Sequence, residues 1–363
     1  MTNFNSLYAL SLDQCANLIK TVGHQRTVLV QGHMGTGKSS LLKTLSREMP
    51  GHSAFYFDCT TKDLGDITLP NINTSTHLPF VSYATNEELG AHHGGPIILM
   101  IDEFGKANPA VKNALLRLIF ERKIGSYTLH PESIVFATTN LGAEGVGDML
   151  PPHARNRIMV VTSRKPSNME WIEWGINNGI DHTLLGWCKD NPQLFASFED
   201  IKDPDENPNI YHPRAQRAAF VTPRSLEAAS DILKHRALLD DQTVIGALGG
   251  TIGERAAMDL MAFVALADKL PSLQSIKDDP RSAKVPDNAA GVCMVVYRTL
   301  AAIERDWIDA WMTYLDRLPA EAQGMFANGV RSPKYSKQAM VMTNGLFTRW
   351  AMANSHMFAA DKK

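Results

Sequence analysis

The chain has little of several things that would set it apart from ordinary globular proteins. Its four cysteines, Cys15, Cys59, Cys188 and Cys293, stand far apart with no C-x-x-C pair. That excludes a disulfide framework and a cysteine zinc site, and it fits a reducing compartment. No apolar run approaches the length of about 18 residues that a membrane span needs. The first residues, MTNFNSLYAL, hold no basic stretch followed by an apolar one, so no leader is read there and the expected location is the cytoplasm. Positive charge is not in excess: 36 Lys and Arg against 38 Asp and Glu leave a formal net charge of -2. Such a balance gives no global attraction to nucleic acid or to an anionic membrane, so neither is an expected partner. Repeats and low-complexity tracts are missing as well. What remains is a globular composition over 363 residues, enough for two domains and a sizeable core.

The most informative stretch is TVLVQGHMGTGKS, Thr27 to Ser39. An apolar, β-branched run reads as a buried strand, and it passes through a glycine-rich turn into a helical segment from Ser40 to Met49. Gly32, Gly37, Lys38 and Ser39 match the spacing G-x-x-x-x-G-K-[ST]. The glycines of that pattern let successive backbone N–H groups cradle a polyphosphate at the positive end of the helix. The residues expected to line the nucleotide are therefore Gly32, His33, Met34, Gly35, Thr36, Gly37, Lys38, Ser39 and Ser40. Lys38 would neutralise the terminal phosphates of ATP, and Ser39 would hold Mg2+.

Further strands are read at Ala54 to Asp58, Pro96 to Glu103, Ile134 to Thr138 and Ile158 to Thr162, with helices at Leu12 to Val22 and Pro109 to Lys123. Between them lies a polar tract, Thr60 to Gly95, with no sustained period. Strands alternating with helices imply a three-layer α/β fold with a parallel sheet and the phosphate loop at its carboxyl edge. Beyond Arg164 the pattern turns helical, in segments 168–189, 223–238, 251–269, 289–318 and 336–357, joined by Pro- and Asp-rich stretches.

Asp102 and Glu103 close the apolar strand IILMIDE. In that setting the first acid orders Mg2+ through its water shell, as a second metal residue beside Ser39, and the second orients and deprotonates the attacking water. Asn140 ends the next strand, where a polar side chain can lie between the γ-phosphate and that water; an Asn there also suits a plain turn. Arg155 and Arg157 flank the last strand, far along the chain from the loop around Lys38. An arginine so placed serves a neighbour's site in a ring, and Arg157, next to the strand, is the favoured of the two. Arg224, after Pro223 at a helix start, would reach the γ-phosphate from the helical half.

In this order the motifs resemble those of an AAA+ ATPase of the MoxR-like group. GHMGTGKS looks like Walker A, IILMIDE like Walker B, ATTN like sensor 1, ARNR like the arginine-finger region and TPRSLE like sensor 2. One departure is Ile158, where Phe often follows the finger arginine. The resemblance implies strand order 5-1-4-3-2 in a domain spanning 1–165, a helical lid over 166–270 and a helical extension over 271–363. It also implies an insert in the second helix at 64–89 and a hairpin at 122–131, both facing a pore or client. Function by resemblance is ATP-driven, chaperone-like remodelling of a protein client by a hexameric ring, with a von Willebrand A domain protein as a candidate partner. The rival readings are a DNA-directed motor and a slow, nucleotide-gated assembly scaffold.

His92 and His93 lack further ligands at a metal spacing and read as loop residues. Trp171 with Trp174, and Trp307 with Trp311, stand at helical spacings that mean packing. Phe80 and Tyr127 read first as loop aromatics packed onto their own domain, with gripping a client as the alternative.

Overall fold

The computed structural model describes residues 8–75, 77–141, 155–267 and 269–358. The chain forms two compact units, Met1–Lys165 and Pro166–Lys363.

The first unit is built on five parallel strands: β1 (Val28–Gly32), β2 (Ser53–Asp58), β3 (Ile97–Asp102), β4 (Ile134–Asn140) and β5 (Met159–Ser163). They lie in the order β2-β3-β4-β1-β5, which read from the other edge is the 5-1-4-3-2 order that the motifs implied. Every residue of β3 and β4 is buried, as a parallel sheet covered on both faces requires. One face, carrying Val28, Val30, Ile98, Met100, Ile134 and Phe136, packs on helices α1 (Leu12–Val22) and α2 (Ser40–Glu48). The other, carrying Leu29, Phe57, Leu99, Ile101, Val135 and Ala137, packs on α3 (Pro109–Glu121). Complete burial of one such side chain stabilises by about 1.5–3 kcal/mol, so these two layers set the fold. Register aligns the carboxyl ends of the strands: Gly32 stands beside Asn140 on one side and Ser163 on the other, and Asp58 beside Asp102. The phosphate loop and the acids are thereby delivered to one edge.

Local signals set the helix ends. Ser11 and Gln14 form a reciprocal capping box at the start of α1. Helix α3 begins with Asn108 as cap and Pro109 at its first position, and it stops where Arg122 turns left-handed at φ 58°. The Arg122 guanidinium then donates to Thr27 Oγ1 (2.5 Å), Ile119 O (2.6 Å) and Gly23 O (2.9 Å), tying α3 to the approach to β1. Burial pulls this guanidinium down to about 10.

The tract between β2 and β3 departs from the implied helix with an insert: its described residues contain no α-helix. It is a run of 3-10 turns around an antiparallel ribbon, Thr68–Asn73 paired with Phe80–Thr85. Pro70, Pro79 and several Thr and Asn in this stretch disfavour a helix. Leu69, Ile72, Phe80, Val81 and Tyr83 are all exposed on the ribbon, and residues 68–85 include no Asp, Glu, Lys or Arg. A second, two-residue hairpin pairs Lys123–Ile124 with Tyr127–Thr128. The two are bonded: Ser126 N donates to Tyr83 O (3.1 Å), and Tyr83 N to Ser126 Oγ (3.0 Å). At Gly125, φ is 52° and an added Cβ would lie 2.5 Å from Tyr83 O, so this turn needs glycine.

The second unit is helical: α4 (Asn168–Asn177), α5 (His182–Asp190), α6 (Pro223–Lys234), α7 (Asp241–Ile252), α8 (Glu254–Ala267), α9 (Leu273–Asp278), α10 (Ala289–Ala302), α11 (Ile308–Leu315), α12 (Ala320–Arg331), α13 (Gln338–Met342) and α14 (Gly345–Ala353). The segment read over 168–189 is broken at Gly179, which takes a positive φ between α4 and α5, and the one read from 251 starts at Glu254, after Gly253; most of α7 and all of α12 lie where no helix is read. One hydrophobic cluster runs from Trp171 through Trp311 to Trp350 and so crosses residue 270 without interruption. Trp171, Trp307 and Trp311 are buried in it, while Trp174 is exposed.

Candidate functional site

The phosphate loop leaves the sheet at Gly32 and reaches α2 through Ser39. Gly35 (φ 68°) and Gly37 (φ 98°) hold left-handed backbone that suits glycine. Gly32 has a different reason to be glycine, one the spacing alone does not reveal: an added Cβ would lie 2.1 Å from Ser163 Oγ and 2.9 Å from Ser163 O on neighbouring β5. Thr36 Oγ1 donates to His33 O (2.9 Å) and Ser40 Oγ to Gly37 O (2.7 Å), which close the loop on itself. His33 is buried and Met34 half-buried.

Lys38 is only 7% exposed. Its ammonium donates to Gly32 O (2.8 Å), His33 O (2.7 Å) and Asn140 Oδ1 (2.9 Å), acceptors that stand in for the water burial has removed. Ser39 caps α2 by position, yet its hydroxyl makes no capping bond; it donates instead to Asp102 Oδ2 at 3.1 Å. Glu103, with φ 50°, is one of two described non-glycine residues in the left-handed region, a conformation that costs about 1–3 kcal/mol and clusters at functional sites. From there its carboxylate accepts from Asn140 Nδ2 (3.0 Å) and pairs with Lys106 (3.2 Å). Asn140 thus has its carbonyl on Lys38 and its amide on Glu103. Lys38, Ser39, Asp102, Glu103 and Asn140 are brought together.

Tyr56 and Thr138 were not anticipated from the sequence. The Tyr56 hydroxyl donates to Asp102 Oδ2 (2.9 Å), Thr138 Oγ1 donates to Asp102 Oδ1, and the Glu103 amide donates to the same Oδ1 (3.0 Å). Burial, then the Asp102 charge and hydrogen bond, push the Tyr56 phenol far above its usual range. Tyr56 and Asp58 share a sheet face two residues apart on the strand next to Asp102, and that alternation was the available signal.

The arginines lie elsewhere. Arg157 lies in a turn two residues before β5, whose first residue pairs with Val28 at the amino end of β1, so the length of β1, about 13 Å at ~3.3 Å per residue, stands between that end and Gly32. Arg157 and Arg155 are exposed, and the Arg157 guanidinium stands 5.4 Å over the Phe120 ring. Arg224 is exposed in the first turn of α6, behind a Thr222–Ser225 capping box, in the second unit. His92 and His93 stand edge-on to Phe55.

The donor set fits the ligands that the loop implies. A hydroxyl and a carboxylate oxygen 3.1 Å apart are hard oxygen donors of the kind Mg2+ takes. A lysine bonded to loop carbonyls can exchange them for phosphate oxygens. Fold and site thus define a P-loop nucleotide-binding α/β domain. Residues 27–153 match the family model of the AAA domain, dynein-related subfamily. Over 214 residues the chain is 26% identical to Midasin of Giardia intestinalis, a stretch covering 56% of this chain and 4% of that protein; the chain therefore spans a small part of that relative's length. Together with the strand order, these matches support an AAA+ ATPase, a nucleotide-hydrolysing class.

Proposed function

We propose that the protein is a Mg2+- and ATP-dependent ring ATPase of the MoxR-like kind that uses hydrolysis to remodel or mature a protein client. The observation that carries this reading is the Asn140 side chain, which joins the phosphate-loop lysine to the acid of the next strand through bonds of 2.9 and 3.0 Å. A phosphate seated on the loop would take over the Lys38 ammonium from Gly32 O and His33 O. Asn140 would then be released to hold the attacking water against Glu103, which takes its proton. Ser39 and Asp102 would hold the cation, whose chemistry when bound is neutralisation of charge building on the phosphates.

Arg157, or Arg155 beside it, would act on a neighbouring subunit's nucleotide, since both precede the strand end that pairs with Val28 while their own loop leaves the sheet at Gly32, the opposite end of β1. That arrangement makes a ring, six-membered by resemblance, a condition of turnover. Arg224 fits a γ-phosphate contact, because a cation in the first turn of a helix opposes the helix dipole and gains from an anion there. The exposed apolar ribbon and the hairpin bonded to it, with Phe80, Tyr83 and Tyr127, suit contact with a protein client; a von Willebrand A domain protein is the candidate, and the cytoplasm the setting. With a net charge of -2, DNA is disfavoured as the client.

The test is ATP turnover and light scattering on wild type, Glu103→Gln and Arg157→Ala. Glu103→Gln is expected to bind ATP without turning it over, and Arg157→Ala to assemble without hydrolysis. Normal turnover by Glu103→Gln would overturn the mechanism. A protein that stays monomeric and active throughout would overturn the ring, and turnover stimulated by DNA would overturn the protein client.

A further inference from the structure

We infer that Tyr56 is a positioning residue for the divalent cation: its hydroxyl holds the Asp102 carboxylate in the orientation from which the metal is bound. The inference rests on the nucleotide-site reading above and goes on to name how the metal end of that site is set.

An ionised carboxylate offers about four acceptor positions, and Asp102 has a donor for each. On Oδ1 they are the Thr138 hydroxyl and the Glu103 amide, and on Oδ2 the hydroxyls of Ser39 (3.1 Å) and Tyr56 (2.9 Å). The four differ in what holds them. Thr138 is fully buried in β4 and the Glu103 amide is the next peptide of the chain, so both are fixed by the sheet. Ser39 belongs to the phosphate loop, and its oxygen would bind the metal while its hydrogen can stay on Oδ2. Tyr56 is the donor that holds Oδ2 from outside the loop. Without Tyr56, Oδ2 would be held by Ser39 alone, the donor whose surroundings change when nucleotide and metal arrive.

Core packing does not account for the position of Tyr56. It lies on the edge strand β2 and is 44% exposed, so its ring gains little from burial. Its pairing with Met100 places it one same-face step short of Asp58 and Asp102, and it is the length of the phenol that carries the hydroxyl to Asp102. Phenylalanine would fill the same ring position and lose only this contact. Partners of this kind, which orient a metal ligand without touching the metal, commonly change metal affinity 10–100-fold when removed.

The experiment compares wild type with Tyr56→Phe, using Mn2+ as the probe. Mn2+ binding in the presence of ADP is followed by electron paramagnetic resonance, ADP affinity is measured with the metal chelated, and thermal stability is recorded. Expected is a Mn2+ dissociation constant raised about tenfold or more in Tyr56→Phe, with metal-free ADP affinity unchanged and the unfolding temperature lowered only slightly, by the loss of one hydrogen bond. A merely structural role would lower the unfolding temperature and leave the Mn2+ dissociation constant where it is. Equal Mn2+ affinity in the two proteins would overturn the role of Tyr56 while leaving the nucleotide site standing. A wild type that binds neither ADP nor Mn2+ would overturn the nucleotide-site reading and this inference with it.

Discussion

Replacing Gly32 by alanine separates two reasons for a glycine that the loop pattern cannot tell apart. Were the residue there only to let phosphate approach the backbone, the variant would lose nucleotide and keep its stability. The geometry says otherwise: the new Cβ would stand 2.1 Å from Ser163 Oγ and 2.9 Å from Ser163 O. The hydroxyl can rotate away, but the carbonyl is part of β5 and yields only if that strand slides against β1, with which it is paired from Val28 to Gly32. Forcing one methyl into such a site costs about 1–3 kcal/mol. For a folding unit of this size, each kcal/mol lowers the melting temperature by about 2–4 °C, so a fall of about 2–12 °C is expected. Scanning calorimetry or far-ultraviolet circular dichroism is the assay. Tryptophan fluorescence is blind to the first unit, because Trp171, Trp174, Trp187, Trp307, Trp311 and Trp350 all lie beyond residue 165. Adding Ser163→Ala should recover part of the loss, since it removes the nearer of the two clashes. An unchanged melting temperature with nucleotide binding abolished would refute the packing explanation.

Other outcomes follow from the same structure. Gly37→Ala, at φ 98°, should cost about 1 kcal/mol or more and also weaken nucleotide binding, read by melting temperature and by titration with a fluorescent nucleotide. Asn140→Ala should lower the turnover number about a hundredfold while changing ATP affinity far less, as steady-state kinetics beside equilibrium binding will show. Arg122→Met removes three hydrogen bonds, although Thr27 Oγ1 still donates to Ile119 O and Val135 N to Gly23 O, and should destabilise the first unit by about 2–4 kcal/mol in urea unfolding. Burial raises the thiols of Cys15 to about 11 and Cys59 to about 12 from 9.0. The stability gained by burying them neutral is present below pH 9.0 and is lost as pH climbs toward those values; the fall in urea midpoint over that window should be smaller in the Cys15→Ala, Cys59→Ala protein.

The parts of the fold legible in the sequence are those buried on both sides. IILMID and IVFATTN could be read as central strands because every position is apolar or turned to the core, and the five motifs in order implied their sequence in the sheet. Thr68–Asn73 and Phe80–Thr85 could not, because a ribbon covered on neither face has no reason to alternate. In the helical half, Gly179 ends a helix inside a stretch whose apolar pattern runs straight on, and Asp241–Ile252, with three glycines in it, forms a helix where none is read. At the site, Lys38, Ser39, Asp102, Glu103 and Asn140 were legible from spacing and strand ends. Tyr56 and Thr138 were not, since their relevance depends on which strands lie side by side.

The ribbon's backbone has a consequence for how it can be recognised. Because the Tyr83 amide and carbonyl point outward to Ser126, the facing residue Pro70 turns its own backbone outward on the opposite edge, where it has no N–H to give. One border is occupied by the neighbouring turn and the other is interrupted by proline, so an incoming strand finds no clean row of groups to pair with. Whatever docks there must read side chains such as Ile72 and Val81, not a generic peptide backbone. Selectivity written in exposed side chains can be rewritten by substitution without disturbing the nucleotide chemistry at the sheet's carboxyl edge.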